Sequence, residues 1–403
     1  MADSKQMLAD RIVFSECHKM HSLPNLLTAS ASDMIDAHDG KKQTPPTAPV
    51  VQINDLSKTH GNQISVTIIH DLSGKPSMGI EKRDGFEEDV SRATFDMKIN
   101  QCHKAVKVPL MMEQQKVGFN YKKLGRPLLT KYHGVLTDEI AVNHLAGARG
   151  TYTSADRILP LTTDADYAKI MVNPVTAPTF DRKMYCGAAT SISGAGGTVA
   201  IGAGDTFGPD DTRKFKELLE VMPHPPQPVS IGGTVDTMGC DPMYLAFVTP
   251  RMWSTFEAAA TDFQTQVANA LKRTNGFNHP LFKGEMFLKD NILFRKYGKP
   301  IGWSAGDSIM VSADDDAATE AAQVAPVAVE RGFILGGQAL AMAYGSVLPG
   351  GFGNFLMDGE LYNQKAWWRQ WMDWIMGLAK IRFADGSGRI NDYGVVAFDA
   401  ALV

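Results

Sequence analysis

Two strand patterns separated by a long polar linker constrain this fold most. Residues 62–70 (NQISVTIIH) and 89–100 (DVSRATFDMKIN) alternate apolar and polar side chains, which is typical of half-buried β-strands. The intervening residues 72–89 are rich in glycine and charge, and they are too numerous for a tight hairpin turn. The sequence therefore predicts a long β-hairpin that projects from the rest of the molecule.

An extended arm precedes this hairpin and a long helix follows it. Residues 1–60 show little periodicity, and 41–50 (KKQTPPTAPV) carry three prolines, which favours an extended chain. From Pro127 the apolar residues recur at helical spacing and Gly147 suits the C-terminal cap, so we expect a helix of about twenty residues. Its predicted core positions are Leu128, Tyr132, Val135, Leu136 and Ile140.

The remainder of the chain mixes predicted helices and strands. Helical spacing predicts helices over 211–222 and 250–273, and the alternating run 390–403 predicts a closing strand. Residues 363–383 hold four of the six tryptophans at helical spacing, which predicts an amphipathic helix packed in the core or at a subunit interface. These elements together indicate an α+β fold.

One uncharged segment, residues 332–357, is long enough to cross a membrane as a helix. Its seven glycines and Pro349 instead favour a buried helix followed by a Gly-rich turn. The N-terminal residues lack the pattern of a secretory signal peptide. We therefore expect no contact with a membrane.

Composition excludes several classes of protein. The chain is 44% hydrophobic and carries a net charge of −4, which excludes a small disulfide scaffold and a disordered chain. Its 403 residues are enough for two or three domains. Neither side of residue 150 is basic enough to wrap nucleic acid tightly. Cys17, Cys102, Cys186 and Cys240 form no C-x-x-C pair and are expected to be reduced thiols in a cytoplasm.

One motif favours catalysis, the GWSAG at 302–306, which matches the G-x-S-x-G of α/β-hydrolases and would make Ser304 a nucleophile. That fold requires a helix directly after the serine and a histidine later in the chain. Here DSIMVSADDD follows, and the last histidine is His279. A serine hydrolase is therefore the weaker, enzyme-class alternative.

The other chemical patterns predict no cofactor and no metal. The glycines of 193–208 lack the spacing of phosphate-binding loops, and Asp314, Asp315 and Asp316 lack that of a calcium-binding loop. No histidine lies at zinc-binding spacing. What remains is an arm, a projecting hairpin, a long helix and a mixed domain. Arms and hairpins of this kind bury little surface unless a neighbouring subunit covers them, so the sequence favours a lattice-forming protein.

The order of these elements resembles the Hong Kong 97-like fold of tailed-phage major capsid proteins, and more specifically those of the phage N-four type. The resemblance lies in short segments that occur in the same order. They are GNQISVTIIHDLSGKPSMGI, FDMKINQCHKAVKVP, LAGARG (145–150), YLAFVTPRMWSTF (244–256), HPLFKGEMFLKDNILFRKYGKPI (279–301), GGQALAMAYG (336–345) and IRFADGSGRINDYGVVAFDAA (381–401). Two segments depart from the family pattern. Asp373-Trp374-Ile375 stands where the family has the motif Asp-Tyr-Gly, and KGEMF (283–287) lacks a glycine that the family has in this segment.

The resemblance implies a division of the chain into five parts. They are an N-terminal arm (1–60), an extended hairpin called the E-loop (61–110), a peripheral or P-domain segment with the spine helix (111–150), a mainly axial or A-domain segment (151–330), and a C-terminal part that returns to both domains (331–403).

The resemblance also implies a function. It predicts a major capsid protein that assembles into pentamers and hexamers of an icosahedral phage head enclosing double-stranded DNA, without enzymatic activity. The virion would be its location, with assembly in the host cytoplasm. Its expected partners are other copies of itself and the portal, with scaffolding and decoration proteins; DNA is enclosed without sequence-specific binding. An encapsulin-like cellular shell is the alternative within the same fold.

Two sets of residues would make the contacts between subunits. The E-loop is expected to lie over an adjacent subunit and to form salt-sensitive ion pairs. The residues expected to do so are Lys75, Glu81, Lys82, Arg83, Asp84, Glu87, Glu88 and Asp89. The arm is expected to cross neighbouring chains, with Val51 and Ile53 as its buried points.

Overall fold

The computed structural model describes most of the chain from residue 35 onward. The described residues are 35–37, 41–43, 47–53, 61–69, 75, 78, 87, 89–90, 92–109, 121–154, 157–192, 200–222, 224–229, 243–260, 286–312, 319–346, 355–364, 366–384 and 388–402.

The described residues form four α-helices, one 3-10 turn (Phe180–Arg182) and twenty strands. The helices are α1 (Tyr121–Ala146), α2 (Ala165–Met171), α3 (Pro209–Val221) and α4 (Pro250–Ala259). The strands of the first half are β1 (Ile35–Ala37), β2 (Lys41–Gln43), β3 (Val50–Ile53), β4 (Gln63–Ile69), β5 (Arg92–Lys98), β6 (Asn100–Pro109), β7 (Lys183–Tyr185) and β8 (Tyr244–Val248). Those that follow are β9 (Met286–Lys289), β10 (Ile292–Lys296), β11 (Ile301–Trp303), β12 (Ser308–Ser312), β13 (Glu320–Val324), β14 (Val329–Leu335), β15 (Leu340–Tyr344), β16 (Phe355–Tyr362), β17 (Trp367–Lys380), β18 (Arg382–Ala384), β19 (Ile390–Asp392) and β20 (Val395–Ala401).

Two larger sheets organise these strands. A seven-stranded sheet has the order β7-β20-β14-β8-β10-β9, with β11 also paired to β14. A five-stranded sheet has the order β16-β17-β15-β3, with β6 paired to β17. Four two-stranded ribbons, β1–β2, β4–β5, β12–β13 and β18–β19, complete the described sheets.

Helix α1 packs against both larger sheets through one buried face. Leu136 and Ile140 belong to a core cluster that also contains Trp374 and Met376 of the five-stranded sheet and Phe333 of the seven-stranded sheet. The helix ends at Gly147, whose φ of 66° belongs to the left-handed region that glycine adopts without strain. This confirms the cap that the sequence predicted, although the helix begins at Tyr121 and contains Pro127 within it.

Helices α3 and α4 cover the seven-stranded sheet over an aromatic core. Proline stands near the start of both helices, where its missing N–H costs no hydrogen bond, and the Thr249 hydroxyl accepts one from Met252 N–H at 3.2 Å to cap α4. The ring of Phe207 lies 5.4 Å from that of Phe256 and 5.8 Å from that of Phe294. The predicted helices at 211–222 and at the start of 250–273 are thus confirmed; residues 261–285 lie outside the described part of the chain.

The tryptophan-rich segment, predicted to be a helix over 363–383, is instead the fourteen-residue strand β17. It pairs with β16 on one side, from Trp374 with Phe355 to Trp367 with Tyr362, and with β6 on the other. Ladder pairing on both edges satisfies the backbone of the segment, so the helical spacing of its tryptophans does not decide its conformation.

The uncharged segment 332–357 also forms strands rather than the predicted buried helix. Its described residues include the end of β14, all of β15 and the start of β16, with Gly336 and Gly337 between the first two. Strand β14 is buried along its whole length. The sequence of a strand buried on both faces is largely apolar and does not alternate with polar residues. Apolar periodicity alone cannot separate such a strand from a buried helix. No helix in the described part of the chain is long and apolar enough to cross a membrane.

Candidate assembly surfaces

The predicted hairpin exists as strands β4 and β5, and its base packs on its own chain. Ile64 and Met97 are buried in a cluster that includes Phe383 of β18. The ring of Phe95 meets that of Phe383 edge-on, with 6.3 Å between the centroids. The expectation that the hairpin buries little surface within its own subunit therefore fails at this base.

The distal part of the hairpin is different, because large apolar side chains are exposed there. Ile69 is 68% exposed, Met78 71% and Val90 69%. Several large apolar side chains exposed on one element are typical of a contact with another chain. No sequence motif singled out these three residues, although Ile69 and Val90 lie in the strand patterns that predicted the hairpin.

Three of the predicted charged contacts lie in the same distal part of the hairpin. Lys75, Glu87 and Asp89 are exposed. The remaining five predicted E-loop contacts lie outside the described residues; they are Glu81, Lys82, Arg83, Asp84 and Glu88.

The arm residues Val51 and Ile53 lie in β3, which runs parallel to β15 and pairs Val51 with Ala341. Val51 is buried and Ile53 is half-buried, and both pack in the cluster around Phe383 of their own subunit. The sequence therefore correctly predicts that Val51 is buried, and its own subunit supplies that burial. Parallel pairing with a strand far along the chain already satisfies this part of the arm.

Four of the five predicted core positions of the spine helix α1 lie on or beside its sheet-facing side. Val135, Leu136 and Ile140 are buried and Tyr132 is half-buried. Leu128 is 48% exposed, so its prediction as a core residue is wrong. The adjacent Leu129 takes the buried position instead, which shifts the sheet-facing stripe by one residue at this end.

The face of the five-stranded sheet opposite α1 carries alternating aromatic and charged side chains. Lys107 Nζ lies 4.0 Å from the centre of the Trp367 ring, and the Arg369 guanidinium lies 5.1 Å from that of Tyr362. His103 Nδ1 lies 2.5 Å from an Asp373 carboxylate oxygen on the same face. Within the described residues β6 and β16 each pair only with β17. The other edge of each of these two strands therefore has backbone groups without a strand partner in the described sheet.

Buried charges tie α1 to the loop that follows it. Glu139 accepts from Lys299 Nζ at 2.5 Å and from the backbone N–H groups of residues 158–159. Arg149 donates to backbone carbonyls within residues 152–160. The loop after the helix is thus held at both ends by charge-assisted hydrogen bonds.

Two further buried carboxylates join the C-terminal strands to the rest of the molecule. Asp399 of β20 binds Arg331 of β14 through two hydrogen bonds of 2.7 and 2.8 Å. Asp392 of β19 accepts from Lys380 Nζ at 2.7 Å and from Arg382 Nε at 2.6 Å. Burial lowers the pKa of Lys380 to about 8, against the opposing effect of Asp392.

Ser304 does not lie on a nucleophile elbow. It occupies the turn between β11 and β12, so a strand follows it where an α/β-hydrolase has a helix. Its backbone N–H donates to Asp307 Oδ2 at 2.7 Å. A groove of about 780 Å³ lies beside Ser304, and no histidine is among the described residues that line it.

The other candidate sites are absent from the described residues or lie outside them. No group of three His, Cys, Asp or Glu side chains placed to hold a metal occurs among the described residues. Asp314, Asp315 and Asp316 are outside them, as are Cys17 and Cys240. Cys102 and Cys186 are free thiols, and burial raises the pKa of both.

The architecture of this chain is similar to that of solved phage capsid proteins. Over 98% of its length the chain superposes on 96% of the capsid protein of Ralstonia phage GP4, with a TM-score of 0.71 and 22% identity. It also superposes on the capsid of cyanophage Pam1 (TM-score 0.62, 15% identity, covering 98% of this chain and 97% of that one). A third match is the acid-stable capsid of Helicobacter pylori bacteriophage KHP30 (TM-score 0.59, 12% identity, covering 97% and 94%). These likenesses confirm the predicted Hong Kong 97-like fold.

No curated protein matches the chain. The family model described as phage capsid protein matches residues 2–403. The hairpin, the long helix packed on both larger sheets and this match over the whole chain lead to one conclusion: the chain belongs to the phage capsid protein family.

Proposed function

We propose that this chain is a major capsid protein that assembles into the pentamers and hexamers of an icosahedral phage head around double-stranded DNA. The family match over residues 2–403 carries the proposal. It is supported by the hairpin, because Ile69, Met78 and Val90 are each about 70% exposed and a shell would cover them with a neighbouring subunit. The role is structural rather than catalytic, as the family implies.

The two larger sheets correspond to the two domains expected of such a subunit. The five-stranded sheet with α1 would be the peripheral domain, and the seven-stranded sheet with α3 and α4 the axial domain. The C-terminal part, 331–403, contributes strands to both sheets, which agrees with a segment that returns to both domains. Axial domains would meet around each capsomer axis, and contacts between unlike surfaces would close into rings.

The E-loop is the element that would link neighbouring subunits. Its base is fixed to its own subunit at Phe383, while Lys75, Glu87 and Asp89 are exposed farther out. Such exposed charges would form ion pairs that weaken as salt is raised. A portal and scaffolding or decoration proteins would complete the head, which would assemble in the host cytoplasm.

Sedimentation velocity of the purified full-length chain, followed by negative-stain imaging of any fast fraction, tests this function. We expect megadalton closed shells, sheets or tubes, and nuclease-protected DNA in particles from infected cells. Protein cargo in place of DNA would indicate a cellular shell. A species no larger than a tetramer that persists after co-expression with a scaffolding protein would refute the proposal.

A further inference from the structure

The groove beside Ser304 has a polar and positively charged lining. Three parts of the chain meet there, namely the loop after α1, the start of α4 and the residues around β11. Of the eleven described residues that line it, three are cationic, five carry a hydroxyl group and none is acidic. The cations are Arg157, Arg251 and Lys299, and the hydroxyl groups include those of Thr153 and Ser304. In a chain of net charge −4, this lining is a local concentration of positive charge and of hydrogen-bond donors.

Contacts within the chain hold the walls of this groove together. Thr151 N–H donates to the Gly302 carbonyl at 2.9 Å, and the Arg157 side chain donates to the Pro300 carbonyl. Gly150 has a φ of 73°, and a Cβ there would lie 2.8 Å from the Gly302 carbonyl oxygen, so the loop after α1 lies this close to β11 only with glycine. The groove is therefore formed before any ligand binds, which lowers the entropic cost of binding.

The three cations of the groove have different surroundings. Lys299 is buried and forms an ion pair with Glu139. Arg157 is half-buried and donates to two backbone carbonyls, and these bonds position its guanidinium without adding a negative charge. Arg251 has a side chain that is 66% exposed, and its guanidinium lies over the Tyr152 ring. Arg251 is therefore the cation that a ligand entering the groove would reach first.

Two carboxylates lie near this lining. Glu330 is fully buried, and Arg251 Nη1 lies 3.8 Å from its Oε1. Burial raises the pKa of Glu330, which favours its neutral form and weakens its repulsion of an anion. Asp307 Oδ2 accepts hydrogen bonds from the Thr151 hydroxyl and from the Ser304 backbone N–H. Neither carboxylate is among the described residues that line the groove, so an anion there would meet cations and hydroxyl groups.

Such a lining fits a phosphate group better than other ligands. Proteins contact the phosphates of DNA mainly through Arg, Lys and hydroxyl side chains, and one guanidinium can bind two phosphate oxygens at once. An apolar ligand would require hydrophobic walls, and the centre of a protein–protein contact is enriched in aromatic and Met side chains. Among the described lining residues Tyr152 is the one aromatic side chain, and Arg251 lies over its ring.

We infer that this groove binds phosphate groups, with Arg157 and Arg251 as the cations and the hydroxyl groups of Thr153 and Ser304 as neutral donors. The inference goes beyond the proposed shell function, which requires no bound phosphate. A DNA backbone and free inorganic phosphate share this chemistry, and the experiment separates them. Contacts to phosphate carry no sequence information, which agrees with DNA that is enclosed without sequence-specific binding.

Binding measurements on the unassembled full-length chain test the inference. A short labelled DNA duplex is followed by fluorescence anisotropy at several salt concentrations, and inorganic phosphate is titrated separately by calorimetry. The wild-type affinity for the duplex should fall as salt rises, because each phosphate that the protein neutralises releases bound counterions. Arg251→Gln should weaken binding by about tenfold, the loss of one charge-assisted hydrogen bond. It should also lower the slope of log affinity against log salt by about one, which a merely structural role would not do.

Two further variants serve as controls. Arg251→Lys keeps the positive charge and should retain the wild-type salt dependence. Arg213→Gln changes an exposed arginine of α3 that does not line the groove, and it should leave both the affinity and the salt dependence unchanged. Because Arg251 is exposed, its variants are expected to fold, which circular dichroism checks.

The outcomes identify the ligand or overturn the inference. Duplex binding that depends on Arg251 identifies a nucleic-acid backbone, whereas binding of inorganic phosphate alone, with the same dependence, identifies a free phosphate. The inference is overturned if the wild-type chain binds neither at low salt, or if Arg251→Gln and Arg213→Gln weaken binding equally. Unchanged binding by Arg251→Gln together with impaired assembly would also overturn it and assign the groove to a contact between subunits. Failure of the wild-type chain to form shells would refute the proposed function alone, because binding is measured before assembly.

Discussion

Replacing Asp399 by Asn should destabilise the subunit strongly, because it leaves a buried guanidinium without its counter-charge. The side chains of Arg331 and Asp399 are 1% and 2% exposed, and two hydrogen bonds join them. Burial disfavours the charged form of Arg331, yet Asp399 more than offsets this and raises the Arg331 pKa. Arg331 Nη1 also donates to the Ala146 carbonyl at 3.2 Å, at the end of α1. The pair therefore joins two strands of the seven-stranded sheet to the spine helix.

The expected loss is about 3–5 kcal/mol in the free energy of unfolding, the usual cost of breaking a buried ion pair by removing one partner. Equilibrium urea unfolding of the dissociated subunit, followed by tryptophan fluorescence, measures it. The double variant Arg331→Met with Asp399→Leu removes both charges and should recover most of the loss, because no uncompensated charge remains. A loss below about 1 kcal/mol for Asp399→Asn, or a double variant as unstable as the single one, would refute the reasoning.

Three further changes test other parts of the fold. Gly147→Ala should lower the free energy of unfolding by more than about 1 kcal/mol, because Gly147 has a φ of 66° and a Cβ there would lie 2.6 Å from the Thr176 carbonyl oxygen. A thermal melt checks this, and an unchanged melting temperature would contradict it. Trp374→Ala should lower the free energy of unfolding, measured in urea, by about 3–5 kcal/mol, because the Trp374 ring is buried and packs edge-on against His133 with 5.1 Å between the centroids. A loss as small as that of an exposed Trp→Ala change would show that the ring lies outside the core. Burial lowers the pKa of His144 to about 3, so the unfolded chain binds a proton below about pH 6.5 that the folded chain does not. Stability should therefore fall by up to about 1.4 kcal/mol per pH unit from pH 6.5 towards pH 3, and His144→Asn should flatten this part of the pH profile; an equally steep profile in the variant would assign the effect to other groups.

Exposed charge and buried charge have different roles in this subunit. The buried pairs Glu139–Lys299 and Asp399–Arg331 join elements that are distant in the sequence, and Asp392–Lys380 joins β19 to the end of β17. They are shielded from solvent and from salt. Assembly through exposed charges would respond to ionic strength, whereas the fold of each subunit would not.

The amino-acid sequence by itself determined the elements whose patterns are local. Alternation predicted strands β4 and β5. Helical spacing predicted α3, and helical spacing with a proline and a capping glycine predicted α1. These patterns can be read because one face of each element is buried and the other is not. The order of the short family-like segments then predicted the fold that the superpositions on solved phage capsids confirm.

Tertiary structure alone decided the elements whose partners lie far along the chain. Strand β17 has a helical spacing of tryptophans, but pairing with β6, more than 250 residues earlier, and with β16 makes it a strand. Strand β14 is buried on both faces and so carries no periodicity that would distinguish it from a helix. Leu128 and Leu129 are neighbours of equal hydrophobicity, and only the position of the sheet makes one exposed and the other buried. Which charges form buried pairs was likewise undetermined, because an ion pair depends on distances that sequence spacing does not contain.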